Sequence, residues 1–271
     1  MKKEILVAAG AAAALPLFLL APGRAGKKKA PFVGRNFAHR GLHTEDRSVP
    51  ENSLAAFRRA VEAGYGIELD VQLSREGEVV VFHDDTLDRV CGVPGRVDAR
   101  SLPALRRLRL CGTEEGIPLF SEVLRLVAGR VPLIVELKTG HRNRLLCEKT
   151  LAYLRRYEGP ACIESFDPRI VAWFRFHAPE RFRGQLAQLP EEYRKDGMNP
   201  AVAFALGNTL LNAAARPEFI AYRIGPRPLP VRLAERLGAV PVGWTSHEPG
   251  NEEGRGAVIF EFYSPPTHFA E

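Results

Sequence analysis

Cysteine is scarce in this 271-residue chain, and the four present (Cys91, Cys111, Cys147, Cys162) make no C-x-x-C pair and no Cys/His metal spacing. A zinc-clasped module and a disulfide-stapled miniprotein are thereby excluded, and reduced, mostly buried thiols are expected. Long apolar runs are missing except at residues 5–22, which excludes a multi-span membrane protein. No internal repeat and no Pro/Gly-rich linker divides the chain. A broad excess of one charge is also missing from the body. The formal net charge is +6, yet residues 1–29 hold six bases (Lys2, Lys3, Arg24, Lys27, Lys28, Lys29) against one acid, Glu4. The rest carries 32 bases and 31 acids. A body so balanced lacks the basic face that a nucleic-acid backbone demands, so no nucleic-acid partner is expected. What remains is ordinary globular composition, 45% hydrophobic and 26% charged.

The uncharged run is interrupted by Gly10 and Pro16 and ends in Leu17-Phe18-Leu19-Leu20. Its 18 residues are the lower edge of a bilayer span and somewhat long for a signal-peptide core. Gly23-Arg24-Ala25 is a passable cleavage site, but Lys27-Lys28-Lys29 after it disfavours clean export. A retained anchor is the first reading and a cleaved signal the second. A buried core helix comes last, because the run has no polar face. Residues 1–29 are thus set apart as a hydrophobic helix outside the main domain, which occupies 30–271. Membrane association through the leader is expected, with export after cleavage as the alternative. Positive charge on both flanks leaves the orientation open.

From Phe32 onward short apolar runs alternate with amphipathic stretches. Strands are expected at Gly34–His39, Ile67–Leu73, Glu78–His83, Leu133–Lys138, Ala161–Ser165, Gly184–Ala187, Phe219–Arg223, Val240–Thr245 and Ala257–Phe262. Helices are expected at Ser53–Ala63, Ser121–Ala128, Arg142–Tyr157, Pro168–His177, Asn199–Ala215 and Pro230–Leu237. The first has Asn52 or Ser53 as its cap and Gly64 as its stop. Ser74-Arg75-Glu76-Gly77 is too short for a crossover, so the strands beside it should form a hairpin. Removing one hairpin arm leaves eight strands over a length that suits a (β/α)8 TIM barrel.

In a barrel, polar residues at the carboxyl ends of strands carry the chemistry. The first strand ends in His39-Arg40-Gly41 and the third in His83-Asp84. The second carries Glu68-Leu69-Asp70 and the fourth Glu136-Leu137-Lys138, where period-two alternation puts each charged pair on one face. Buried paired carboxylates resist ionising unless a cation lies between them. Glu68, Asp70 and Glu136 offer oxygen only, which favours one hard divalent cation, Ca2+ or Mg2+, over zinc. Arg40 and Lys138 beside it suggest a phosphate, and His39 and His83 a proton acceptor and donor. Singly, each motif could be a solvated strand face, a turn or a structural ion pair. Four of them on successive strand ends are not readily accidental.

The ordered series His39-Arg40-Gly41, Pro50-Glu51-Asn52-Ser53-Leu54-Ala55-Ala56-Phe57, Gly64, Glu68-Leu69-Asp70-Val71, Gly77, Val79-Val80-Val81-Phe82-His83-Asp84 and Arg89 resembles the glycerophosphodiester phosphodiesterase family. Ile117-Pro118-Leu119-Phe120, Glu136-Leu137-Lys138, Ser165-Phe166 and Trp244-Thr245 are similar to its later landmarks. The resemblance covers most of 37–245. It implies a TIM barrel that hydrolyses glycerophosphodiesters to glycerol 3-phosphate and an alcohol, a histidine pair His39/His83, metal ligands Glu68, Asp70 and Glu136, and phosphate contacts from Arg40 and Lys138. Glu51 would orient the first-strand cluster, and Asn52 would be a cap or a site residue. Trp244 would be either an aromatic wall beside the glycerol or a core tryptophan. At the end the sequence departs from the family: Val258-Ile259-Phe260-Glu261-Phe262-Tyr263 replaces a strand followed by Thr-Asp and proline, and the preceding helix shrinks to His247–Gly256. No large capping insertion is expected after His83. A phospholipase D-like barrel acting on lysophospholipid or sphingolipid, and a non-catalytic membrane-tethered binding protein, are the alternatives.

Overall fold

The structure, a computed structural model, describes residues 18–270. Nine strands follow the expected order: β1 Arg35–Ala38, β2 Gly66–Leu73, β3 Val79–Val81, β4 Leu133–Leu137, β5 Ala161–Ser165, β6 Arg183–Ala187, β7 Phe219–Arg223, β8 Val240–Ser246 and β9 Ala257–Phe260. Eight of them run parallel, and β1 pairs with both β2 and β9, which closes the ring. The expected hairpin arm is β3, antiparallel to the upper half of β2, with Val71 opposite Val81. The fold is a TIM barrel.

The helices form where caps and apolar spacing dictate. In Leu54–Ala63 the Ser53 hydroxyl accepts from the Ala56 N–H, and Gly64 ends the helix at φ 77°. Ser53 rather than Asn52 is therefore the cap. The helix expected over 199–215 is two shorter ones, Pro200–Gly207 and Asn212–Ala215. Gly207 packs so closely on Pro190 that a Cβ would lie 2.7 Å from its ring, and Thr209 at φ 52° turns the chain away. The helix Pro190–Lys195 was not expected. Residues 247–256 form turns without a helix, as their shortness implied. After β3 a small satellite core of Phe82, Leu87, Val90, Val97, Leu105 and Ile117 packs against Val80.

The barrel's floor is apolar. Phe37, Ile134, Cys162, Phe219, Ala221, Val242 and Ile259 fill it, with Phe32 and Ala25 in the same cluster. A Cβ on Gly184 would sit 2.0 Å from the Phe219 ring, so the floor needs glycine there. All four cysteines are free thiols, with Cys147 and Cys162 buried.

The stretch 18–29, read from sequence as part of the leader, lies along this floor. Leu20 and Ala25 are buried, and Gly23 donates its N–H to Pro217 O over 2.9 Å. Arg216 Nη1 donates to the Phe18 and Ala21 carbonyls at 2.8 and 2.6 Å. Lys28 pairs with the buried Glu218, which Arg183 Nη1 also approaches at 3.3 Å. No helix among the described residues is long and apolar enough to cross a membrane. The anchor or signal reading falls on residues 1–17, outside those described. Comparing two truncations tests the docking. A chain starting at residue 30 should be less stable in urea unfolding than one starting at residue 18 by roughly 2–4 kcal/mol, because Glu218 loses its lysine and apolar floor contacts are lost.

Candidate active site

The carboxyl ends of β1, β2 and β4 bring the predicted carboxylates together. Register sets Asp70 beside Glu136 and Glu136 beside Glu164, and Glu68 points to the same face two residues before Asp70. Oxygens of Glu68, Asp70 and Glu136 lie within 4.8 Å of one another, and all three side chains are buried. Burial, followed by the charge of Asp70, pushes the Glu68 carboxyl well above the usual range. Burial raises Glu136 too, against the pull of Lys138. Burial would also raise Asp70, but His83, Lys138 and Arg40 hold it well below the ordinary carboxylate range. Asp70 Oδ1 is buried and makes no hydrogen bond. An all-oxygen donor set with an orphaned carboxylate oxygen fits a hard divalent cation, whose charge would favour the ionised carboxylates.

Two cations face this cluster. Lys138 Nζ is 2.8 Å from Glu136 Oε1 and 3.4 Å from Asp70 Oδ1. Arg40 takes a left-handed turn at φ 53°, which sends its backbone N–H to Glu68 Oε2 at 3.0 Å. Its side chain reaches Glu51 at 2.8 Å and lies 3.6 Å from Asp70. Asn52 donates to Asp70 Oδ2 at 2.8 Å, so it braces the carboxylate cluster and is not the cap. Glu51 also accepts both Arg89 amino groups, at 2.6 and 2.7 Å. Burial alone would raise Glu51, but Arg89 and Arg40 draw it down to about 2.

The two histidines stand on either side, each fixed by a carboxylate. His83 Nδ1 is 2.6 Å from Asp84 Oδ1, and Asp84 accepts from Arg89 at 2.7 and 2.9 Å. One guanidinium therefore ties the His83 side of the mouth to the Arg40 side. His39 Nδ1 donates to Glu261 Oε2 at 2.7 Å, which leaves Nε2 4.0 Å from Glu68 Oε2. Burial, then the Arg40 charge, lowers the ring to about 4 despite Glu261, so it is neutral at pH 7 with Nε2 free to accept a proton.

Residues 39–259 match the model of the glycerophosphoryl diester phosphodiesterase family. The chain belongs to that family. A glycerophosphodiester phosphodiesterase of Caldanaerobacter subterraneus subsp. tengcongensis is 41% identical over 113 residues, 38% of this chain and 44% of that protein. Lysophospholipase D of Rattus norvegicus is 30% identical over 145 residues, 49% of this chain and 44% of that one. The chain thus spans less than half the length of either relative. Among solved structures, an Oleispira antarctica phosphodiesterase in complex with its product sn-glycerol-3-phosphate superposes with a TM-score of 0.69 at 21% identity, over 84% of this chain and 93% of that one. A Thermotoga maritima glycerophosphodiester phosphodiesterase gives 0.64 at 22% identity, over 83% and 93%. These two likenesses concern the fold.

On this family barrel His39, His83, Glu68, Asp70, Glu136, Arg40, Lys138 and Glu51 all gather at one mouth. Trp244 lies on the opposite arc, its indole N–H bonded to Ala221 O at 2.9 Å and its ring 5.5 Å edge-on from Phe166. It is half-buried, so its place suits both the wall and the core reading. Sequence reasoning missed Glu261, His43 and Glu164, and assigned no role to Arg89. Glu164 is buried with Oε2 unpaired, and burial with Glu136 and Asp70 nearby pushes its carboxyl well up. Its E-S-F strand end repeats the signal of Glu68 and Glu136 and could have found it.

The Glu51 bridge has a pH signature. Its folded value lies below its unfolded one, so its stabilisation is present above 4.5 and lost as pH falls through about 2. Glu51→Gln should therefore destabilise the protein by about 2–3 kcal/mol in urea melts at neutral pH. The gap to wild type should narrow steadily as the melts are repeated from about pH 5 toward pH 3.

Proposed function

We propose that the protein hydrolyses glycerophosphodiesters to glycerol 3-phosphate and an alcohol, with His39 and His83 as the acid/base pair. The observation that carries this reading is the flanking of one buried three-carboxylate pocket by two carboxylate-fixed histidines and two cations. Glu68, Asp70 and Glu136 would hold a divalent cation, Ca2+ or Mg2+, which when bound supplies a Lewis acid to a phosphoryl oxygen. Arg40 and Lys138 take the charge that develops on the phosphoryl oxygens. His39 accepts at Nε2 the proton of the attacking group, and His83, its Nδ1 fixed by Asp84, protonates the departing alcohol. Attack by the glycerol's own neighbouring hydroxyl enjoys a large effective molarity and gives a cyclic phosphate. The histidines then exchange roles as water opens the ring.

Turnover of glycerophosphocholine tests this. Chelation should abolish it, Glu68→Ala or Asp70→Ala should do the same in folded protein, and His39→Ala or His83→Ala should each cost roughly 100-fold or more. A substrate lacking the neighbouring hydroxyl should not turn over. Equal turnover of that substrate would mean that water attacks instead.

A second reading, cleavage of the head group from a lysophospholipid, draws on the helix Pro200–Gly207 between β6 and β7. Its Val202 and Phe204 are 48% and 57% exposed, a surface that an acyl chain could cover. Faster turnover of lysophosphatidylcholine than of glycerophosphocholine, lost in Phe204→Ser, would favour it.

We further propose that residues 5–17, continued by the docked stretch from Phe18, tether the protein to a membrane. Full-length protein should sediment with membranes on fractionation. A soluble product starting near Gly26 would mark a cleaved signal.

A further inference from the structure

Beside the oxygen cluster, and on the other side of the His39 ring, lies a set of ligand atoms of different chemistry. One ring nitrogen each from His39 and His43 and a Glu261 carboxylate oxygen all lie within 4.8 Å of one another. His39 Nδ1 and His43 Nε2 converge on the same oxygen, Oε2, at 2.7 and 3.2 Å. A third imidazole stands at the rim, with His247 Nδ1 3.7 Å from Glu261 Oε1. Phe262 walls the set, with its ring 5.0 Å edge-on from His43 and 6.1 Å from the stacked His247 ring. The three inner side chains are 9–16% exposed, which shelters the set while keeping it reachable from solvent.

We propose that His39, His43 and Glu261, with His247 as a rim ligand, form a second metal site that takes Zn2+ and switches the enzyme off. Two imidazoles and a carboxylate, with a further imidazole or water to complete four-coordination, are the donors of zinc and not of Ca2+ or Mg2+. Zinc ligands of this kind stand somewhat more than 3 Å apart when bound at about 2.0–2.2 Å, so small ring rotations suffice. The inhibitory consequence rests on the acid/base role proposed for His39. In the free protein the ring's N–H is on Nδ1, donated to Glu261 at 2.7 Å, and Nε2 faces the carboxylate pocket. With Zn2+ on Nδ1 that proton resides on Nε2, which can then donate but no longer accept. The metal that assists turnover and the metal that stops it would so occupy opposite edges of one imidazole.

Co2+ titration followed by visible absorption, with Zn2+ competition, reads the site directly. It should be run on the full-length Glu68→Gln/Asp70→Asn protein, in which the oxygen site is disabled, and repeated on Glu68→Gln alone. One equivalent of Co2+ should bind with the intense bands of a four-coordinate site, and Zn2+ should displace it. His43→Ala should weaken binding about 100-fold and His247→Ala about tenfold, both keeping the circular dichroism of the parent. In the wild type assayed with excess Mg2+, one equivalent of Zn2+ should suppress turnover. His247→Ala should keep its basal rate and need about tenfold more Zn2+ for the same inhibition. Absence of Co2+ binding in both oxygen-site variants, or binding unchanged by His43→Ala, overturns the site. Binding as described with turnover untouched by Zn2+ upholds the site and removes the acid/base role of His39 Nε2.

Discussion

Three carboxyl groups inside a low-dielectric barrel mouth are the constraint around which the rest of this structure is arranged. Glu68, Asp70 and Glu136 are buried and within ligand distance of each other, and Glu164 lies next along the same row. Removing such charges from water costs several kcal/mol each unless something positive compensates. Lys138 and Arg40 supply part of that compensation from the flanking strand ends. Burial pushes the Glu68 and Glu164 carboxyls well up, and the three-carboxylate cluster is left with less positive charge around it than full ionisation would need.

The cations need anchoring in turn, and the chain answers with a second ring of carboxylates. Glu51 holds Arg40, Asp84 holds His83, and Arg89 grips both acids at once. The alternation of sign holds Arg40 and His83 each to one direction. Apolar packing is concentrated elsewhere. The floor is apolar and tightly packed around Phe37 and Phe219, and the chain from Phe18 to Phe32 seals it from below. The charged cluster and the apolar floor thus occupy opposite ends of one barrel.

Much of this was legible in the sequence, for physical reasons. Parallel strands buried on both faces read as continuous apolar runs, so their bounds could be placed to within a residue or two. The E-x-D and E-x-K pairs could be placed because strand alternation fixes which side chains share a face. What stayed hidden depends on closure in three dimensions. Glu261 meets His39 and His43 only because β9 docks against β1, and no spacing along the chain encodes that meeting. The break in the helix over 199–215 follows from a tertiary contact with Pro190. The leader's composition announced an apolar segment but not that residues 18–29 lie on the floor.

The bond between His39 and Glu261 spans 222 residues of sequence and crosses the seam where the last strand meets the first. The His39 N–H is itself bonded across that seam to Phe260 O at 2.9 Å. During synthesis the first strand leaves the ribosome long before its closing neighbour exists, so through nearly the whole of translation the His39 ring has no acid to orient it. Incomplete chains, truncated products and open intermediates therefore carry most of the site's side chains without the alignment that makes them a site. The seam thus ties the orientation of the His39 ring to closure of the barrel.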